Sequence, residues 1–79
     1  MTAENFENSL RALSEAIPFR LFTIELKSGL RFEVDSPSAL AMRGGVAVFV
    51  SPGGVPILFD HETVSMLFPA KADTSFKAE

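Results

Sequence analysis

Apolar residues recur at two different periods along the chain, and the change of period divides it into a helical start and a β-rich remainder. Phe6, Leu10, Leu13 and Ile17 are spaced four, three and four apart, which places them in one stripe of an α-helix. Glu4 and Glu7 lie near its start, where the helix dipole favours negative charge. Thr2 or Asn5 can cap it, and Pro18 biases Ile17 away from helical geometry. The spacing predicts a helix over residues 4–16, with its stripe packed on the rest of its own domain.

From Phe19 onward the period is two. Phe22, Ile24 and Leu26 alternate with Thr23, Glu25 and Lys27, and Leu30, Phe32 and Val34 alternate with Arg31, Glu33 and Asp35. Two strands are expected, each with one buried and one wet face. Parity selects the turn between them. A two-residue Ser28-Gly29 loop would set Lys27 opposite Leu30 and bring a charge to the core face. A three-residue Lys27-Ser28-Gly29 loop pairs Leu26 with Leu30, Ile24 with Phe32 and Phe22 with Val34. Such loops place a left-handed residue last, and Gly29 supplies it. The same register sets Glu25 across from Arg31 on the outer face.

Ser36-Pro37-Ser38 should end the second strand, and Ala39 to Arg43 reads as a short helical turn before Gly44-Gly45. Val46–Val50 follows as a strand that is apolar on both faces. Ser51-Pro52-Gly53-Gly54 reads as a type II turn with Pro52 and Gly53 central. Val55–Phe59 forms the fourth strand, where Pro56 suits an edge or a strand start. Asp60-His61-Glu62 makes a polar turn, and Val64–Phe68 is the fifth strand, stopped by Pro69. Phe49, Leu58 and Leu67 are expected on the face opposite to Val48, Ile57 and Met66, with either set filling the interior. Residues 70–79 show no periodic apolar face and read as a disordered tail. The expectation is a mainly β domain over residues 1–69, an N-terminal α-helix followed by a five-stranded SH3/Sm-like small barrel.

Composition sharpens this picture in two ways. A chain of 79 residues that is 47% hydrophobic, with 8 Phe and no Trp or Tyr, carries more apolar surface than one small barrel can hide. Some of it should meet another copy, and pairing of edge strands between copies would also cover exposed edges. No cysteine is present, so no disulfide or thiolate metal site is available. The net charge of −3, with Arg11, Arg20, Arg31 and Arg43 scattered, lacks the basic stripe of a polyanion binder. No apolar run is long enough to span a bilayer, and the first residues lack the basic and apolar regions of a signal peptide. A cytoplasmic protein is expected.

Phe22 to Val34 resembles the opening hairpin of the Sm-like family, and the bacterial Hfq-like RNA chaperones are its nearest branch. The order of a helix followed by a bent five-stranded barrel, which assembles into rings, is the layout that this resemblance implies. Ile57 to Ser65 is similar to the family's second motif, an aromatic, Lys, His run before the last strand. On that likeness Phe59 and His61 match, and Asp60 stands where the family has lysine. Asn8 falls where the family has a pocket glutamine, and the rim arginines fall on Ala16, Ile17 and Phe19. The family's Asp-Gln-Phe segment has no counterpart between Pro37 and Gly45. The resemblance therefore implies an RNA-binding site of Asn8, Phe59 and His61, weakened by the carboxylate of Asp60. Pro18 to Phe68 also resembles short bacterial proteins of the form Pro-Phe-x-x-Phe-Thr-Ile-x-Leu-x-x-Gly, which bring no function with them.

Other chemistry is sparse. His61 is the single histidine, and a general-base role would need Ser51 or Ser65 as nucleophile, for which the spacing shows no triad. Asp60, His61 and Glu62 are adjacent on a tight turn, where side chains diverge rather than converge on a metal. The glycine pairs lack any phosphate-binding pattern and serve turns. No catalytic residue, metal, cofactor, small-molecule substrate or membrane partner is expected. The favoured function is a non-enzymatic homo-oligomeric interaction or scaffold module, a ring or dimer. The alternative is a diverged Sm-like binder of single-stranded RNA.

Overall fold

The parity that sets the first hairpin also decides which residues meet inside the domain. The computed structural model describes residues 1–69. Helix α1 (Ala3–Ser14) leads to strands β1 (Phe22–Leu26) and β2 (Arg31–Val34), a 3₁₀ turn (Pro37–Ala39), and then β3 (Leu40–Arg43), β4 (Val46–Val50), β5 (Pro56–Asp60) and β6 (Val64–Phe68). The disordered tail expected over residues 70–79 lies outside the described residues. The protein is mainly β with one N-terminal helix.

Thr2 caps the helix, its hydroxyl accepting the Asn5 N–H at 3.1 Å. The helix ends at Ser14, so Ile17 falls beyond the stripe and is 96% exposed. Phe6 and Leu10 carry the stripe, fully buried, with Leu13 packed beside them.

The first hairpin has the expected register: Phe22 faces Val34, Ile24 faces Phe32 and Glu25 faces Arg31. Gly29 closes the three-residue loop at φ 96°, with its N–H bonded to Leu26 O at 2.9 Å and Leu26 N–H bonded to Leu30 O at 2.8 Å. The outer pair forms as expected, Arg31 lying 3.5 Å from Glu25. The Ser51–Val55 turn repeats this construction and corrects the type II expectation. Its positive φ, 82°, is at Gly54 and not Gly53, and Ser51 N–H reaches Val55 O at 3.0 Å.

Five strands closing into a barrel were expected; six strands form two three-stranded antiparallel sheets, β2-β1-β6 and β3-β4-β5. Among the described residues no ladder joins the two sheets. The extra strand is Leu40–Arg43, read from sequence as a helical turn. Gly44 and Gly45, at φ 62° and 84°, form the two-residue turn that a tight hairpin requires, and it folds Arg43 back onto Val46. Ser36 to Ala39 turns the chain between the sheets, with the Ser36 hydroxyl accepting Ser38 N–H at 3.3 Å. That turn separates β2 from β3, and among the described residues β2 has no partner on its outer edge.

The two sheets and the helix share one aromatic core. Phe32 stacks on Phe49 at 5.0 Å and meets the edge of Phe59 at 5.3 Å. Phe59 in turn contacts Phe6 of the helix at 5.9 Å. The inward set on the later strands differs from the expected grouping: Phe49 pairs with Ile57, and Val48 with Leu58, so Ile57 faces in and Leu58 faces out. On β6 the register shifts between Glu25 and Leu26, which leaves Ser65 as an extra residue. This bulge lets Val64 and Leu67, three positions apart, both pack on the core.

Two turn glycines separate strain from crowding. Gly29→Ala meets open space, so positive φ alone should cost about 1 kcal/mol. Gly45→Ala should cost more, because its Cβ would lie 2.9 Å from Ala3 Cβ and 2.9 Å from His61 Cδ2. Chemical denaturation of both variants against wild type checks the order; equal losses would show that the contact at Gly45 yields freely.

Candidate functional site

The expected site residues sit around the turn from β5 to β6, and Asp60 builds that turn. Its carboxylate oxygen Oδ1 accepts the N–H of Glu62 and of Thr63, both at 3.0 Å. The Thr63 hydroxyl is 3.0 Å from the Asp60 carbonyl and 3.0 Å from the Asp60 N–H. An aspartate that caps the backbone two and three residues on is the usual means of closing such a turn. Partial desolvation pushes the Asp60 carboxyl up, but the hydrogen bonds from Thr63 and Glu62 and the nearby His61 outweigh it and hold it below its usual value.

His61 is half-buried and faces the start of the chain. Its Nδ1 lies 3.0 Å from the carbonyl of Met1; a carbonyl only accepts, so Nδ1 carries the hydrogen of that bond. The Met1 amino group donates to the His61 carbonyl at 3.2 Å, and the His61 N–H donates to Gly45 O at 2.9 Å. Gly45 N–H donates to Glu7 Oε2 at 2.6 Å. The helix start, the Gly44-Gly45 turn and the β5–β6 turn are thus tied together. Glu7 and Gly45 were absent from the expected site. The paired glycines signalled a turn, but only the fold shows that one of them must be bare to let Ala3 and His61 approach.

The expected trio is not assembled as a binding surface. Asn8 is exposed on α1, while Phe59 is 4% exposed and enclosed by Phe6 and Phe32. A base cannot stack on a ring whose faces and edges are already covered. Among the described residues no hydrogen bond links His61 to Ser51 or Ser65, and no three His, Asp or Glu side chains gather around one ion site. Neither the sequence nor the fold matches a known family model, a curated protein or a solved structure.

The Asp60 cap has a pH signature. A carboxyl held below its unfolded value of 3.8 stabilises the fold when ionised; that contribution is complete above the unfolded value and fades as pH falls through the lower folded value. Asp60→Asn should therefore be less stable than wild type at neutral pH, and the gap should close on acidification. Thermal melts from pH 7 down to about pH 2 measure this, and a gap that persists undiminished in acid would remove the charge from the account.

Proposed function

We propose that this protein is a non-enzymatic module that assembles with copies of itself, and that the outer face of β3-β4-β5 is where the copies meet. One observation carries the reading. Ala41, Val48 and Leu58 lie in a row across all three strands, with Val46 and Val50 beside them on the same face. Leu58 is 74% exposed and Val46 53%. A shallow depression of about 270 Å³ opens there between Val46, Val48 and Leu58. An outward apolar face of this kind is what a subunit contact covers. A second copy presents the same apolar chemistry, with Arg43 and Asp60 flanking Val46 at one end of the patch.

The Sm-like barrel remains the finer reading of the fold. It is supported by the register of the first hairpin and by the chain path: with β2 and β3 taken as halves of one strand bent at Ser36–Ala39, the order is a helix followed by five strands. RNA binding gains no comparable support, because Phe59 is core and Asp60 is acidic.

Sedimentation at tens of micromolar tests the assembly. Wild type should run as a species larger than 8.6 kDa, and Leu58→Lys should dissociate it with its fold intact, because a buried unpaired charge disfavours the contact. Leu67→Lys is the control: Leu67 packs on the core, so that variant should lose stability instead. A monodisperse wild-type monomer overturns the proposal. Nanomolar binding of uridine-rich RNA in physiological salt would favour the RNA reading instead.

A further inference from the structure

We infer that the open edge of β2 is a docking site for an extended peptide segment in which basic and apolar residues alternate. Among the described residues β2 is the end strand of its sheet and pairs only with β1. The bond from Leu26 N–H to Leu30 O fixes the ladder: bonded pairs fall at Leu30, Phe32 and Val34. By the alternation of antiparallel pairing, the N–H and C=O groups of Arg31 and Glu33 point away from β1. Among the described residues no hydrogen bond from another element reaches them.

A cavity of about 550 Å³ runs along this edge, touching Arg31, Phe32 and Glu33 in succession. Alternate residues of a strand face opposite ways, so the cavity reaches both faces of β2, meeting Phe32 on one and Arg31 and Glu33 on the other, and it extends over the outer face to Thr23 and Leu21. Its inner wall is apolar, formed by Phe32, Phe49 and Ile57. Its outer rim carries Glu33 and Asp35. Arg31 does not neutralise them, because its guanidinium pairs with Glu25 at 3.5 Å and lies 5.1 Å from the Phe68 ring centre. No cation pairs with Glu33 or Asp35 among the described residues.

These features specify one occupant. Backbone groups of Arg31 and Glu33 require an extended main chain, the addition of a strand to a sheet edge. Side chains of that strand alternate, as do those of β2. One set would enter the cavity against Ile57 and Pro52, beside the largely buried ring of Phe32, and is favoured when apolar. The other set would lie beside Glu33 and Asp35 and is favoured when basic. β2 has four residues, so the recognised segment is short. This site lies on the other sheet from the proposed contact between copies, and it stands whether or not the chain assembles.

The probe is a fluorescein-labelled heptapeptide, Lys-Leu-Lys-Leu-Lys-Leu-Lys, titrated with the full chain and read by anisotropy. Saturable binding is expected, weakened roughly tenfold or more by the paired change Glu33→Lys and Asp35→Lys. Both side chains are exposed, and an unchanged melting curve shows that the double variant folds. N-methylation of alternate backbone amides of the peptide should abolish binding, because it removes the donors without changing charge. No binding, equal binding of a Glu-Leu heptapeptide, or indifference to the double change would each overturn the inference.

Discussion

Everything in this domain depends on Phe32 reaching across from one sheet to the other. A three-stranded sheet of short strands is stable only when one face is covered, and here each sheet covers the other. Phe32 on β2 stacks with Phe49 on β4 and meets Phe59 on β5, and Phe59 passes the contact on to Phe6 of the helix. Removing a buried phenylalanine typically costs about 3–5 kcal/mol, a large share of what so small a domain can hold. The four rings fix the spacing of the sheets, the seat of the helix and the orientation of β2. The open edge of β2 goes with the same contact, since its inward side chain is committed to the core while its outer backbone groups find no partner among the described residues.

The first hairpin was legible because two independent requirements agreed there. Alternation demanded that Leu26 and Phe32 share a face, and only a glycine at the end of a three-residue loop satisfied it. The later strands lacked that double constraint. Val46–Val50 is apolar on both faces, so pattern alone left its inward side open, and pairing with β5 settled it. Leu40–Arg43 carries alanine, leucine and methionine, which favour helix locally; the tight Gly44-Gly45 hairpin overrode that preference. The bulge at Ser65 was invisible because its effect is to let Val64 and Leu67 break strict alternation. Adjacent glycines at 53 and 54 offered two places for positive φ, and the three-residue loop selected the second.

The site was less legible than the fold, for a different reason. Phe59, His61 and Asp60 were grouped by likeness to a motif, and each proves to have a structural duty. Phe59 fills the core, Asp60 caps the turn, and His61 receives the start of the chain beside Gly45. A motif of this kind records only residue types. The burial of an aromatic ring, or the hydrogen bonds already held by a carboxylate, belongs to the packing around it. Asp60 illustrates the difference: charge reversal there would alter the local field and also remove two backbone caps, so only a change that preserves the acceptor separates the two effects.

The edge strands also bear on how one small domain could offer the two proposed surfaces. An exposed edge invites pairing, and proteins blunt it with charge or proline. On β5, Pro56 supplies no N–H, and the outward side chain of Leu58 is apolar, so that strand discourages a backbone ladder while its face favours contact. On β2 the reverse holds. Every backbone group is present, and the outward side chains are Arg31 and Glu33, with Asp35 just beyond, so an indiscriminate apolar strand is disfavoured and one of complementary charge is not. On the two proposals, burial of apolar area and pairing of a polar edge would be divided between the two sheets. A sheet face suited to exclude water and a sheet edge suited to select by charge would place opposite demands on side chains, which alternation along separate strands can meet.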